Sequence, residues 1–93
     1  MVSQQFTITD ELGIHARPAT ILVNVANKFE ADVKLVYNQK TVNLKSILGV
    51  MSLGIAFGSE FDIKADGSDE QKALNELEKT LLNEKLAKIS VRK

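Results

Sequence analysis

The sequence predicts an α/β two-layer, open-faced sandwich in which a four-stranded, mostly antiparallel sheet carries three helices on one face. Three observations predict it. Several short segments alternate apolar and polar residues, which is typical of half-buried strands. Two longer segments repeat apolar residues at steps of three and four, which is typical of helices. The resulting order is β-α-β-β-α-β-α, and the two adjacent strands in the middle favour a hairpin.

The first strand and the first helix are separated by a glycine. In "QQFTITDE", Phe6 and Ile8 alternate with polar residues, and Gly13 ends the pattern. From Ala16 to Phe29 the apolar residues recur at helical spacing. Pro18 falls in the first turn, where a missing N–H costs nothing because those amides have no intrahelical partner.

The middle of the chain predicts a hairpin and a short helix. "DVKLVY" and "TVNL" indicate strands over residues 32–44, joined by a tight turn at Asn38 and Gln39. In "KSILGVMSLG", Ser46 is a candidate N-cap of a short helix and Gly54 its terminator.

The last third predicts a fourth strand and a third helix. "EFDIKA" alternates, and "DG" turns the chain. Ser68 and Gln71 fit a capping box, and we interpret Asp69 and Glu70 as partners of the helix dipole. One helix face is predicted to carry Ala73, Leu74, Leu77, Leu81 and Leu82. The tail "AKISVRK" has no clear period, and we expect it to fray.

Length and composition narrow the function classes. The 93 residues suit one domain, residues 1–93, with 12 basic and 12 acidic residues. Zero net charge argues against a general nucleic-acid binder or a polybasic membrane binder. The chain has no cysteine, and its acidic residues lack ligand spacing, so we expect no disulfide, metal or cofactor. The N-terminus lacks the pattern of a signal peptide, no apolar run would span a bilayer, and we expect a cytoplasmic protein.

The stretch "GIHARPAT" is the strongest candidate for chemistry. It holds the only histidine, His15, next to Arg17 at the predicted start of a helix. A neutral imidazole is a nucleophile near neutral pH, free helix amides favour an anion, and a guanidinium matches phosphate oxygens. This combination favours a phosphoryl group carried on His15. A lone histidine at a helix start is, however, more often a cap or a surface residue.

"GIHARPA" and "NLKSILGVMSLG" together resemble HPr, the histidine-containing phosphocarrier family of the bacterial phosphoenolpyruvate-dependent sugar phosphotransferase system. The resemblance covers essentially the whole chain. It implies that His15 is phosphorylated on Nδ1 by phospho-enzyme I and passes the group to sugar-specific enzyme IIA domains. It implies that Arg17 interacts with the phosphate, and that the chain carries phosphate stoichiometrically without being an enzyme.

The resemblance also implies regulation and docking. Ser46 matches the regulatory serine of the Gram-positive branch, the target of HPr kinase/phosphorylase, with a catabolite control transcription regulator as a further candidate partner. The "VNLKSI" context resembles proteins of Firmicutes or mollicutes. We expect a monomer. Spacing alone favours core positions for the apolar residues of the short helix, whereas the resemblance implies a docking patch formed by Ala16, Thr20, Asn24, Ile47, Leu48 and Met51.

Two other functions remain open from the residues. One is a purely regulatory module that works through Ser46 while His15 is idle. The other is a small-ligand sensor with a ferredoxin-like core, although no pocket signature supports it. Phe57, in a loop position that this family often fills with a small or charged residue, and the long basic tail leave partner preference open.

Overall fold

Five strands and three helices make up residues 1–90, the part of the chain that the computed structural model describes. In chain order they are β1 (Val2–Ile8), α1 (Ala16–Ala26), β2 (Asp32–Tyr37), β3 (Lys40–Asn43), α2 (Ile47–Met51), β4 (Glu60–Asp66), α3 (Glu70–Asn83) and β5 (Ala87–Ile89). The strands form one sheet in the order β3-β2-β4-β1-β5, and every neighbouring pair is antiparallel. Within this part of the chain, no helix is long and apolar enough to cross a membrane.

The core lies between the sheet and the helices. Alternate residues of the central strands β1 and β4 point to the same side, where Phe6 lies opposite Phe61 and their rings stack at 5.6 Å. The helices α1 and α3 pack against each other, and α3 packs on β1 and β4. Leu22 from α1 and Leu77 from α3 are fully buried in this layer. The predicted open-faced sandwich is therefore confirmed in its layers and helix count.

The predicted strand count is wrong, because β5 adds a fifth strand. Ala87–Ile89 pairs with β1, and the register continues through Ser90, whose N–H donates to the carbonyl of Gln5 at 3.0 Å. The hydroxyls of Thr7 and Ser90 are 2.7 Å apart. A three-residue strand is too short to show alternation, so the tail gave no periodic signal. The basic end of that tail, residues 91–93, lies outside the described residues.

The hairpin between β2 and β3 is confirmed. Asn38 and Gln39 both have positive φ, 51° and 67°, as a two-residue type I′ turn requires. Asparagine adopts this conformation readily, whereas glutamine does so at a conformational cost.

The ends of two helices differ from the predictions. The predicted helix over Ala16–Phe29 ends at Ala26, where the C-cap Asn27 turns its side-chain amide onto the carbonyl of Val23 at 2.9 Å. The capping box at Ser68 and Gln71 does not form. The N-cap of α3 is Asp69, and the Gln71 amide instead donates to Asn75 within the helix.

Leu82 was predicted on the core face of α3 and is exposed. The buried positions of α3 are Ala73, Leu74, Leu77 and Leu81. Leu81, in the same last turn, is fully buried. Position 82 lies about 100° further around the helix, so its side chain points away from the buried face.

Asp69 bridges α3 to the start of β2. Its carboxylate accepts hydrogen bonds from the backbone N–H of Glu30 at 2.9 Å and of Ala31 at 2.8 Å. The pKa of this carboxyl is held below its usual range mainly by the hydrogen bond from the Glu30 N–H. The Ala31 N–H and the charge of Lys45 lower it further. The side chain therefore joins two segments 38 residues apart, a role beyond the predicted interaction with the helix dipole.

Candidate functional site

His15 occupies the N-cap position of α1. Its backbone is extended, with φ −108° and ψ −166°, and its carbonyl accepts the first helical hydrogen bond, from the N–H of Ala19 at 3.0 Å. The imidazole is half-exposed and makes no hydrogen bond or ion pair with any residue in 1–90. Both ring nitrogens are therefore available for chemistry, and the side chain does not serve as a cap.

The loop before His15 is held by its backbone. The carboxylate of Asp10 accepts the N–H of Leu12 at 2.9 Å, and the Asp10 carbonyl accepts the N–H of Gly13 at 2.9 Å. Gly13 has φ +69° and lies so close to the segment Ile55–Ala56 that a Cβ atom there would collide with the Ile55 carbonyl oxygen. The next residue, Ile14, is buried and donates its N–H to that carbonyl at 2.9 Å. His15 thus follows two residues fixed against the body of the protein.

Free hydrogen-bond donors follow His15 in the first turn of α1. The N–H groups of Ala16 and Arg17 have no acceptor among residues 1–90, as expected for the first turn of a helix, and Pro18 has no N–H to satisfy. The Arg17 side chain is exposed and forms no ion pair with any described residue. Two amides, the positive end of a helix and an unpaired guanidinium create an environment that favours a dianion.

The exposed side of α1 continues from this end of the helix. Ala16, Thr20 and Asn24 are exposed at a spacing of four residues, so they form one stripe along the helix. The Thr20 hydroxyl donates to the carbonyl of Ala16 at 2.8 Å. Asn24 makes no side-chain hydrogen bond with residues 1–90, so its amide is available to a partner.

Ser46 is the N-cap of α2, as predicted. Its hydroxyl oxygen accepts the N–H of Gly49 at 3.2 Å. Its own N–H donates to the carbonyl of Asn43 at 3.0 Å. The side chain is partly accessible and already points towards the free amides of the helix start.

The apolar residues of α2 are exposed, contrary to what spacing alone favoured. Ile47 is 39% exposed, Leu48 82% and Met51 42%. The helix has only five residues, and Val50 alone fills the position that faces the core. The flanking residues Leu44 and Leu53 occupy the neighbouring core space. Three large apolar side chains on one short helix create a small water-facing apolar patch.

His15 and Ser46 lie at opposite ends of α1. Near its C-terminal end, the Lys45 ammonium donates to the carbonyl of Phe29 at 2.7 Å, and the amide of Asn27 reaches the Lys45 carbonyl at 3.5 Å. These contacts hold the start of α2 beside the end of α1, and the two helices pack together. Because α1 has 11 residues, about 16 Å of helix separates the two sites. The length of α1 thus separates the two sites.

The family of this chain follows from its sequence. The family described as the PTS HPr component phosphorylation site matches residues 2–83. This chain belongs to the HPr family. HPr-family proteins are phosphocarriers of the phosphotransferase system, and that is the class of this chain.

Solved structures agree with this assignment. A Mycoplasma histidine-containing phosphocarrier protein is 39% identical over 91% of this chain and 97% of its own, with a TM-score of 0.89. Phosphocarrier protein HPr from Bacillus anthracis is 43% identical over 82% of this chain and 90% of its own, with a TM-score of 0.77. Crh, a Bacillus subtilis catabolite repression protein described as a dimer with a swapped domain, is 42% identical over 92% of this chain and 98% of its own, with a TM-score of 0.69.

Two exposed apolar residues of this HPr-family chain were assigned no role in the sequence analysis. Leu12, in the loop before His15, is 75% exposed, and Phe57, whose position the sequence left open, is 60% exposed.

A shallow cavity of about 210 Å³ lies on the sheet face away from the helices, beside Lys34, Lys64 and Asp66. Within residues 1–90, no group of three or more potential ligand side chains is placed to hold a metal ion.

Proposed function

We propose that His15 is the phosphoacceptor, taking a phosphoryl group on Nδ1 from phospho-enzyme I and passing it to the enzyme IIA domains of sugar permeases. One observation carries the proposal: the imidazole is half-exposed and free of internal hydrogen bonds at the start of α1, beside Arg17. The lone pair of Nδ1 attacks phosphorus, the N–P bond forms as the bond from phosphorus to the donor breaks, and Nε2 keeps its proton. The second transfer reverses these steps on the acceptor.

The chain supplies charge stabilisation for this transfer. The amides of Ala16 and Arg17 and the Arg17 guanidinium would donate to the phosphoryl oxygens, since none of them is engaged within residues 1–90. Phosphoryl transfer depends mainly on positioning and charge, so the site needs no metal and no cofactor of its own. The chain acts as one domain, residues 1–93, and works as a stoichiometric carrier in the cytoplasm.

The docking surface proposed for both protein partners follows α1 and α2. It comprises the exposed residues Ala16, Thr20, Asn24, Ile47, Leu48 and Met51. The apolar residues of α2 give a small hydrophobic centre, and the stripe on α1 gives a polar rim that leads to His15. The carrier is proposed to be monomeric, although the similar Crh structure is a dimer.

Ser46 is proposed as a regulatory site for HPr kinase/phosphorylase, with a catabolite control transcription regulator as reader of the phosphoserine. A phosphate at this N-cap meets the same helix end, where the hydroxyl now accepts the N–H of Gly49, so it adds charge without breaking α2. We expect the fold to persist, and loss of α2 from the NMR spectrum of the phosphoserine form would contradict this mechanism. A regulatory module with an idle His15 is the second candidate, but the free imidazole beside Arg17 favours the carrier.

Incubation with phosphoenolpyruvate and enzyme I tests the proposal. The wild-type chain should gain about 80 Da, one phosphoryl group, in a linkage that acid cleaves and alkali does not. His15→Ala should gain nothing, and Ser46→Ala, the matched control, should behave as wild type. An unmodified wild-type chain, or an adduct that survives in His15→Ala, would contradict the assignment of His15.

A further inference from the structure

The sulfur atoms of this chain belong to two methionines. The sequence contains Met1 and Met51 and no cysteine. Met1 is 74% exposed and Met51 is 42% exposed, so water reaches both side chains. A thioether that water reaches is also open to peroxides, and no thiol in the chain competes with it. These two methionines are therefore the side chains that a mild oxidant is expected to modify.

Met51 lies at the centre of the apolar patch on α2. It is the last residue of the helix, four positions after Ile47 and three after Leu48. Residues at these two spacings are neighbours on a helix surface, so the Met51 side chain borders both. The residue of α2 that fills the core is Val50. A change at the Met51 sulfur therefore alters the docking surface and leaves the core as it is.

Met1 lies in another part of the molecule. Its amine is 3.2 Å from the carboxylate of Glu70, the first residue of α3, and 3.8 Å from that of Asp66, the last residue of β4. Neither acidic residue belongs to the docking surface proposed above. Met1 is thus an accessible methionine outside the patch, and the chain contains its own control for oxidation.

Oxidation changes the property on which an apolar patch depends. Hydrogen peroxide transfers one oxygen atom to a lone pair of the sulfur. The O–O bond breaks, an S–O bond forms, and the second oxygen leaves with both hydrogens as water. The sulfur loses two electrons and the peroxide gains them. The resulting sulfoxide is polar, and it loses its hydration when a partner covers it. Methionine sulfoxide reductases return it to the thioether, with two thiols supplying the electrons and the oxygen leaving as water.

We propose that Met51 is a reversible oxidation site through which peroxide lowers the affinity of the docking surface for its partners. This inference rests on the proposed function, which supplies the docking surface. In the free chain the sulfoxide stays in water, so the unfavourable desolvation occurs only in the complex. The groups proposed to hold the phosphate, including His15 and Arg17, are unchanged. Oxidation is therefore expected to raise the KM for the chain and to leave kcat as it was.

The test treats the purified chain with hydrogen peroxide, removes the oxidant and then measures phosphorylation by phosphoenolpyruvate and enzyme I. Wild type should gain about 32 Da, one oxygen on each methionine, and its KM should rise about tenfold at constant kcat. Methionine sulfoxide reductases with a thiol should restore the untreated KM.

Met51→Leu is the matched control, because it keeps an apolar side chain of similar size and has no sulfur at this position. It should gain about 16 Da, at Met1 alone. Each protein is compared with its own untreated sample, so any effect of the substitution itself cancels. The KM of Met51→Leu after treatment, divided by its KM before treatment, should equal one.

The outcomes separate this inference from the proposed function. The inference is wrong if peptide mass spectrometry finds oxygen on Met1 and none on Met51, or if doubly oxidised wild type keeps the untreated KM. It is equally wrong if treated Met51→Leu shows the same rise, or if the reductases do not reverse it, because the damage then lies elsewhere. A melting temperature more than about 5 °C below that of the untreated chain would place the effect in the fold and contradict it. If untreated wild type is not phosphorylated on His15, the proposed function fails before any oxidant is added.

Discussion

Replacing Gly13 with alanine should impair both the fold and the site. Gly13 adopts φ +69°, a conformation that costs an L-amino acid about 1 kcal/mol or more. Its Cβ would also collide with the Ile55 carbonyl oxygen and lie 3.1 Å from the Cα of Ala56. Both neighbours are backbone atoms, so the loop before His15 has to move away from residues 55–56.

The expected cost combines two effects. Movement of the loop breaks the 2.9 Å hydrogen bond from Ile14 to Ile55, worth about 1 kcal/mol, and disturbs the buried Ile14 side chain. Together with the backbone cost, Gly13→Ala should lower the free energy of unfolding by about 2–4 kcal/mol. Phosphoryl transfer to His15 should slow by about tenfold to a hundredfold, because a displacement of about 1 Å at the reacting group has effects of this size.

Gly54→Ala is the matched control. Gly54 also has positive φ, +60°, but a Cβ there meets no atom within 4 Å. This variant should therefore lose only the conformational contribution, about 1 kcal/mol. Urea unfolding measures both free energies, and the phosphoenolpyruvate assay measures transfer. If Gly13→Ala is no less stable than Gly54→Ala and accepts phosphate at the wild-type rate, close packing of the loop does not position His15.

Three further variants test other parts of the account. Leu48→Asp should weaken binding to enzyme I about tenfold while the melting temperature changes by less than about 2 °C, since its side chain is exposed; a large drop in melting temperature would instead place Leu48 in the core. Asp69→Asn should be less stable than wild type at neutral pH. Because the pKa of Asp69 is lowered on folding, its carboxylate stabilises the fold above its ordinary pKa and loses that effect as pH falls from about 5 through the folded value. The gap between the two urea midpoints should therefore narrow in acid, and a constant gap would contradict this role. Ser46→Asp should slow phosphorylation of His15 by enzyme I at low salt; equal rates for variant and wild type would rule out charge on the shared surface as the cause.

The sequence predicted the parts of the fold that carry periodic patterns. Alternation of apolar and polar residues located β1, β2 and β4, and helical spacing located α1 and α3. The sequence also predicted the hairpin turn, and the positive φ of Asn38 and Gln39 in the structure confirms it. It missed β5, because three residues cannot display a period and the strand exists only through its pairing with β1. Such an element is defined by a long-range partner and not by its own residues.

In the candidate site, too, local patterns were predictable from the sequence and long-range contacts were not. The position of His15 at the start of α1 and the N-cap role of Ser46 follow from local spacing, and the structure has both. The exposure of Ile47 and Met51 does not follow from spacing, because it depends on how far a five-residue helix reaches over the core. The distance between the two ends of α1 and the contact of the His15 loop with residues 55–56 are tertiary properties as well.

The central claim is that one imidazole nitrogen takes the phosphoryl group and that the free amides after it hold the oxygens. Two-dimensional ¹H–¹⁵N NMR of the chain during turnover with phosphoenolpyruvate and enzyme I tests this most directly. The account predicts phosphorus on Nδ1 of His15, with the largest amide shifts at Ala16 and Arg17 and little change along β1. Phosphorus on Nε2 or on another residue, or unchanged Ala16 and Arg17 amides, would contradict it.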